Sequence, residues 1–272
     1  QEHALFFLYG TGANGKSVFV NTLATLLGDY AANAPMDTFM ETRTDRHPTD
    51  MAGLRGARFV AALETEQGRR WAESKIKNLT GGDKISARFM RQDFFEFFPQ
   101  FKLFVAGNHK PAIRNIDEAM KRRLHLIPFT ITVPPERRDK NLQQKLLAER
   151  DGILAWAVQG CLYWQRHGRL KPPQRVVDAT EEYFEAEDAL GRWLDERCVR
   201  ETCAKSLTAE LFNDWKQWAE AAGEFVGAQR RFSDQLITRG LEKWRNGMGV
   251  RGFQGIGLKH PSIPAYTPYI DD

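Results

Sequence analysis

The segment FFLYGTGANGKSVFVNTL, from Phe6 to Leu23, contains a glycine-punctuated loop that ends in Gly-Lys-Ser. Four residues separate Gly10 from Gly15, which is the spacing of a phosphate-binding loop. Glycines let successive backbone N–H groups turn toward an anion, and the helix that follows directs its positive end to the same point. We therefore predict that ATP or another NTP binds through eight consecutive residues: Gly10, Thr11, Gly12, Ala13, Asn14, Gly15, Lys16 and Ser17.

The last two residues of this loop have side chains that suit triphosphate chemistry. Lys16 is long enough to reach the β- and γ-phosphates, and the Ser17 hydroxyl can bind Mg²⁺. The alternative interpretation is a chance match to the pattern. The flanking residues disfavour it, because Ala4–Tyr9 is predicted to be a buried strand and Lys16–Leu27 a helix that stops at Gly28.

A pair of acidic residues follows the next predicted strand, which ends in the sequence ALETE. One residue separates Glu64 from Glu66, so on an extended chain their carboxylates lie on the same side. In open α/β sheets the ends of strands supply the carboxylates that hold Mg²⁺ and polarise water. We predict that one of the pair, taken as Glu64 beside Ser17, binds the metal and the other activates water, although the two roles can be exchanged. Two solvated surface glutamates are the alternative.

A polar residue also follows the third predicted strand, in the sequence AGNHK. The amide of Asn108 can hydrogen-bond both a γ-phosphate and an attacking water. We predict that Asn108 senses the γ-phosphate and take it, with Lys16, Glu64 and Glu66, as catalytic. The alternative is an ordinary asparagine in a turn after glycine.

These candidate residues all follow predicted strands, so a sheet has to position them. Apolar runs at Arg58–Leu63, Lys102–Ala106 and Leu124–Phe129 alternate with helical patterns over residues 1–128, which predicts an α/β fold with a central parallel sheet. We assign residues 1–135 to this core. Residues 136–187 are assigned to a helical segment and linker, with apolar residues at helical spacing over 139–168.

Residues 188–262 are predicted to form a small winged-helix-like domain, and residues 263–272 a loose tail. Helical patterns at 188–198, 208–222 and 229–239 precede a glycine-rich stretch at 247–257, which is taken as the wing. Arg230 and Arg231 begin the third helix, where recognition helices meet DNA. We predict a DNA contact there, and a protein-docking role is the alternative.

The composition excludes two broad classes of protein. The 272 residues are 42% hydrophobic, which is too apolar for a disordered chain, and the net charge of +4 permits a polyanionic partner. No apolar run approaches membrane-spanning length and no leader pattern is present, so we predict no membrane partner and a cytoplasmic location in a bacterial cell or phage-infected host. Because the chain opens almost on its first strand, we expect further domains upstream.

Five segments of the chain together carry a resemblance to a known family. Their order and spacing resemble the superfamily 3 helicases, and in particular the helicase domains of phage and plasmid primase-helicases. The third segment is the most specific, because a generic phosphate-loop ATPase has no use for it. The segments are GTGANGKS (10–17), ALETE (62–66), LTGGDKISARFMRQDFFEFFPQFK (79–102), LFVAGNHKP (103–111) and DEAMKRRLHLIPF (117–129).

The resemblance implies an AAA+-like phosphate-loop NTPase that assembles as a hexamer. Such a ring hydrolyses NTP while moving along single-stranded or forked DNA in phage or plasmid replication, and a primase domain can precede it. This chain departs from the family at Glu64-Thr65-Glu66, where many members have adjacent acids. That difference leaves the metal and base assignments of the two glutamates open.

A hairpin is predicted between the acidic strand and the sensor strand. Residues 83–98 alternate as strands do, with Ile85, Ala87 and Phe89 on one face and a turn at 91–93. The resemblance implies that this hairpin points into the central channel of a ring. The cations predicted to hold DNA phosphates there are Lys84, Arg88 and Arg91. A solvated edge hairpin is the alternative.

Two arginines precede the last predicted strand. In the family, an arginine at this position enters the active site of the neighbouring subunit, where it stabilises the charge on the leaving phosphate. Arg123 matches that position, and Arg122 is the second candidate. Arginines that complement the end of a helix are the alternative. A non-motor replication initiator or regulator, which binds DNA and uses NTP only to assemble, remains the competing function.

Overall fold

The structure, a computed structural model, describes residues 2–42, 49–63, 68–114, 116–245 and 249–259. It divides after Glu187 into two compact units. The strands of the first unit are β1 Leu5–Tyr9, β2 Ala31–Asn33, β3 Phe59–Leu63, β4 Ile85–Ala87, β5 Phe95–Phe97, β6 Lys102–Gly107 and β7 Leu124–Pro128. Its helices are α1 Lys16–Leu27, α2 Thr49–Ala52, α3 Glu73–Gly81, α4 Glu118–Lys121, α5 Leu142–Ala148, α6 Arg150–His167 and α7 Gln174–Glu187.

A five-stranded sheet in the order β2-β3-β6-β1-β7 forms the centre of the first unit. Every neighbouring pair in it is parallel, which confirms the predicted α/β fold. β1 lies between β6 and β7, and its residues alternate between two cores. Phe7 packs in one hydrophobic cluster and Leu8 in another, on the opposite face of the sheet. Burial on both faces explains the continuous apolar run that made this strand recognisable.

The predicted strands and helices of the core agree with the structure to within a residue or two. Helix α1 begins and ends at the predicted residues, Lys16 and Leu27. The antiparallel pair β4 and β5 forms the predicted hairpin, with Ser86 opposite Glu96. The buried face of the hairpin is shorter than predicted, because Ala87 is buried whereas Phe89 is 41% exposed.

The helical segment after the sheet differs from its prediction in burial. Helices α5 and α6 form where the apolar spacing indicated, but neither contains a buried residue within the described part of the chain. Trp156 is 65% exposed. Helix α7, in contrast, packs on the sheet, where the backbone N–H of Leu126 donates a 2.9 Å hydrogen bond to Thr180 Oγ1.

The second unit contains three main helices and several short strands. The helices are α8 Ala189–Arg197, α9 Thr208–Ala221 and α10 Gln229–Thr238, and the strands are β8 Cys198–Val199, β9 Lys205–Leu207, β10 Glu242–Arg245, β11 Arg251–Gln254 and β12 Gly257–Leu258. Antiparallel strands form a sheet in the order β10-β11-β9. The predicted glycine-rich stretch at 247–257 thus includes β11, and β10 precedes it from Glu242. Trp193, Phe232 and Phe253 are buried in the core of the second unit.

The predicted tail, 263–272, lies outside the described residues. No helix among the residues that the structure describes is long and apolar enough to cross a membrane.

Candidate functional site

The loop after β1 is held against the strand at the edge of the sheet. Gly10 has φ 153°, and a Cβ atom at that position would stand 2.0 Å from the carbonyl oxygen of Phe129. Only glycine allows this approach. Asn14 Nδ2 donates a 2.7 Å hydrogen bond to the same carbonyl oxygen. The loop therefore keeps its curve through contacts with Phe129, the residue after β7, that the sequence pattern alone did not indicate.

The chain after β7 continues this support. The N–H of Val133 donates a 2.8 Å hydrogen bond to the carbonyl oxygen of Ala13. The hydroxyl groups of Thr11 and Thr132 lie 3.2 Å apart. Sequence reasoning missed this contribution because nothing in the segment 129–133 resembles a nucleotide-binding motif.

Lys16, the charged residue of the loop, is buried, with 7% of its surface exposed. Its Nζ donates hydrogen bonds to the carbonyl oxygen of Gly10 at 2.7 Å, to Asn14 Oδ1 at 3.0 Å and to Asn108 Oδ1 at 3.2 Å. Burial lowers the pKa of Lys16. The ammonium group thus lies among neutral oxygens at the point where the loop and the sensor strand meet.

The sheet explains why Asn108 and Lys16 meet. β6 pairs with β1 in parallel, so that Gly107 lies opposite Tyr9, and the residues after each strand leave the same edge. β3 is the next strand, and its last residue, Leu63, pairs with Ala106. Glu64 and Glu66 follow directly in sequence but lie outside the described residues, so their metal and water roles remain predictions.

The remaining loop residues, Thr11, Gly12, Ala13, Gly15 and Ser17, are exposed. Ser17 lies in the first turn of α1, where its hydroxyl can reach an incoming ligand. Among the described residues, no group of three or more His, Cys, Asp or Glu side chains is arranged to hold a metal ion.

Sequence reasoning also missed a lysine at this edge. Lys110 Nζ lies 4.3 Å from the ring centroid of Tyr9, the last residue of β1, and 5.8 Å from that of Tyr183. The GNHKP segment was the available signal, but it identified only Asn108. Lys110 adds a second positive charge near the strand ends.

The two arginines before β7 have opposite environments. Arg123 is 5% exposed, and its Nε donates a 3.0 Å hydrogen bond to Thr80 Oγ1 while an Nη donates a 2.8 Å bond to the carbonyl oxygen of Ala119. Burial and the neighbouring charge of Arg122 lower its pKa. In this single chain Arg123 is bonded to its own subunit, whereas Arg122, the second candidate, is exposed. The role of either arginine in a neighbouring active site stays a prediction.

The hairpin β4–β5 combines cations with exposed aromatic rings. Arg91, at φ 61°, occupies the turn. The guanidinium carbon of Arg88 lies 4.7 Å from the ring centroid of Phe94, and Lys84 Nζ lies 5.7 Å from that of Phe98. Phe94 is 57% exposed and Phe98 56%. The predicted cations thus lie close to exposed aromatic side chains, for which the sequence analysis predicted no role.

The two predicted DNA contacts of the second unit have different neighbours in the structure. Arg230 lines a groove between α10 and the β10–β11 strands. The guanidinium carbon of Arg231 lies 5.5 Å from the ring centroid of Phe225. A DNA contact at either position stays a prediction.

Comparisons with known proteins agree with this architecture. A family model described as a family of unknown function (DUF5906) matches residues 8–123, from β1 to Arg123. The apo C-terminal region of NrS-1 has a similar fold, with a TM-score of 0.53 and 12% identity over 94% of this chain and 67% of that one.

Longer viral proteins share sequence with this chain. A protein of Acanthamoeba polyphaga mimivirus, named as a candidate helicase, is 27% identical over 80% of this chain and 25% of its own length. A frog virus 3 protein, also named as a candidate helicase, is 28% identical over 87% of this chain and 26% of its own. An African swine fever virus protein named as a candidate primase is 22% identical over 89% and 28%. The chain spans about a quarter of the length of these relatives.

Proposed function

We propose that this chain is the NTP-hydrolysing motor of a replicative DNA helicase of the superfamily 3, AAA+-like type. The observation that carries the proposal is the 3.2 Å hydrogen bond between Lys16 Nζ and Asn108 Oδ1, on a loop curved tightly against Phe129. A lysine and a neutral amide, placed by the segments that follow two adjacent parallel strands, are groups that suit a γ-phosphate. The viral relatives named as candidate helicases and primases support a role in DNA replication.

The residues of the loop fit ATP or another NTP. The glycine at position 10 leaves room for a backbone curve that a Cβ would block. Lys16 would neutralise the β- and γ-phosphates, and Asn108 would orient a water molecule. Ser17, with Glu64 or Glu66, would hold Mg²⁺, which when bound neutralises charge on the phosphate oxygens. The second glutamate would accept the proton of the attacking water.

The hairpin is proposed to hold single-stranded DNA. Lys84, Arg88 and Arg91 supply sequence-independent contacts to phosphates. Exposed Phe94 and Phe98 add surfaces on which unpaired bases can stack, a contact that a closed duplex does not offer. The proximity of each ring to a cation supports one combined surface for phosphates and bases.

Oligomerisation, in a hexameric ring, would complete the site. We infer that Arg122 reaches a neighbouring subunit, because it is exposed while Arg123 is bonded inside its own. Mixing Arg122→Ala with Lys16→Ala subunits tests this, since each inactive protein would supply what the other lacks and hydrolysis would partly return. Absence of recovery at every mixing ratio would exclude action between subunits.

The second unit is proposed to be a winged helix. Three helices followed by the antiparallel strands β10 and β11, of which β11 pairs with β9, support this interpretation. The greater length of the viral relatives is consistent with a primase domain elsewhere in a longer protein.

The function is tested by measuring ATP hydrolysis with and without single-stranded DNA, followed by strand displacement from a forked duplex. We expect stimulation by DNA and unwinding, both lost in Lys16→Ala and both retained in the control Lys140→Ala, an exposed lysine outside the site. Hydrolysis that is indifferent to DNA, without unwinding, would instead identify the initiator or regulator.

A further inference from the structure

The second unit contains an open groove of about 850 Å³ that the nucleotide site does not involve. The first turns of α9 and α10 and the strands β10 and β11 line it. Its charged lining consists of four cationic residues, Arg230, Lys243, Arg245 and Arg251, and one carboxylate, Asp234. The excess of positive charge indicates an anionic ligand.

The cations of the groove differ from other basic residues of the same unit. None of the four forms an ion pair or side-chain hydrogen bond with another residue in the described part of the chain. Elsewhere in the unit, Arg192, Arg197, Lys216 and Arg239 each pair with a carboxylate. The groove therefore keeps charges that its own fold does not neutralise.

One aromatic side chain of the groove wall, Trp244, is half-buried. It lies opposite Gly252 in the sheet, and a Cβ on Gly252 would stand 3.0 Å from the indole ring. Lys205 Nζ lies 5.3 Å from the ring centroid. Four cationic side chains line the same groove, so the groove offers mainly charge to a ligand.

We propose that this groove is a second nucleic-acid site, which binds the sugar–phosphate backbone without reading sequence. Its ligand is the repeating phosphate of a DNA strand, and its contacts are Arg230, Lys243, Arg245 and Arg251. Binding needs neither NTP nor the hairpin of the first unit. The site thus adds an anchoring function to the proposed motor and does not depend on hydrolysis.

Removal of two groove cations tests the site in the full chain without nucleotide. The hairpin is first silenced by Lys84→Gln, Arg88→Gln and Arg91→Gln, so that the groove dominates binding. In that background, Arg245→Gln with Arg251→Gln should weaken binding of labelled duplex and single-stranded oligonucleotides about tenfold at low salt. The slope of log affinity against log salt should fall by about one for each cation removed.

Two further variants separate charge from folding. Arg245→Lys with Arg251→Lys keeps the charges and should retain affinity and salt slope. Arg200→Gln with Lys216→Gln removes two exposed cations of the same unit that do not line the groove, and binding should not change. Circular dichroism checks that every variant is folded.

If the Arg245→Gln, Arg251→Gln variant loses affinity for both oligonucleotides, or for only one of them, the result supports the groove as a binding site. It also identifies the form of DNA that the groove binds. Unchanged affinity and salt slope with both forms would overturn the proposal. The groove-binding measurement contains no nucleotide, so a negative result in it does not bear on the ATPase measurement. A negative result in the helicase assay likewise does not bear on binding at the groove.

Discussion

The hairpin of the first unit and the groove of the second both present cationic side chains, but in different chemical surroundings. On the hairpin, Arg88 and Lys84 lie beside the exposed rings of Phe94 and Phe98. In the groove, the ring of Trp244 is half-buried opposite Gly252. The presence of cations therefore does not imply equal ligands. The hairpin is suited to unpaired bases, whereas the groove is suited to any phosphate backbone.

The largest expected effect tests whether DNA binding at the groove is independent of the nucleotide site. Lys16→Ala removes a buried cation aimed at the phosphates, so ATP hydrolysis should fall by about 100-fold or more. DNA binding at the groove, measured by fluorescence anisotropy without nucleotide, should stay at the wild-type value. A fall in that affinity would show that the two sites are not independent.

The next effect concerns the aromatic rings. Replacing Phe94 and Phe98 together by alanine should weaken binding of single-stranded DNA by about tenfold or more, since stacking on one ring contributes about 1–3 kcal/mol. Duplex binding should be unchanged. Tyr30→Ala, which removes an exposed ring of the same unit, is the matched control. Equal losses for single strands and duplex would contradict the distinction between the two surfaces.

A third measurement asks which arginines serve the fold and which are open to ligands. Arg123→Gln should destabilise the protein by about 1–3 kcal/mol, because it leaves the buried Thr80 hydroxyl and the Ala119 carbonyl without their donor. Arg122→Gln should leave the melting temperature unchanged. If the Arg123→Gln protein is as stable as wild type but no longer hydrolyses ATP, the result would identify Arg123 as the catalytic arginine.

The smallest effect lies in the paired charges of the second unit. Burial raises the pKa of Asp214, but hydrogen bonds from Arg197 and Trp193 outweigh it, and the pKa stays below its usual value. The ionised form therefore stabilises the fold above the pKa of the unfolded chain, and this contribution disappears as pH falls through the folded pKa. Asp214→Asn should lower stability at neutral pH by about 1–2 kcal/mol.

Thermal unfolding followed by tryptophan fluorescence over a pH series checks this value. The difference between Asp214→Asn and wild type should vanish in acid, where both residues are neutral. Groove variants such as Arg245→Gln should show no such difference at any pH. A pH-independent cost of Asp214→Asn would show that packing and not charge is responsible.

Most of the sheet was predictable from sequence because its strands are buried on both faces and appear as continuous apolar runs. The loop with Lys16 and its approach to Asn108 followed from the rule that parallel strands end at one edge. The short strands β2, β8, β9, β10 and β12 were missed, since two to four residues carry little periodic signal.

The burial of a side chain was harder to predict from sequence than the presence of a candidate residue or a helix. Arg123 and Arg122 are identical and adjacent, and only the packing of α3 and α4 decides that the first is buried. The apolar spacing of α6 predicted a helix correctly but not its burial, because a pattern indicates which face is apolar and not what covers it.

The position of β1 between β6 and β7 has a consequence for how the chain folds. It precedes every other strand of that sheet in the chain, yet Leu5 pairs with Leu103 and with Leu124. Pairings between residues so distant in sequence form slowly, because a long loop has to close before they stabilise the chain. During synthesis the backbone of the first strand therefore stays unpaired until β6, and then β7, has left the ribosome.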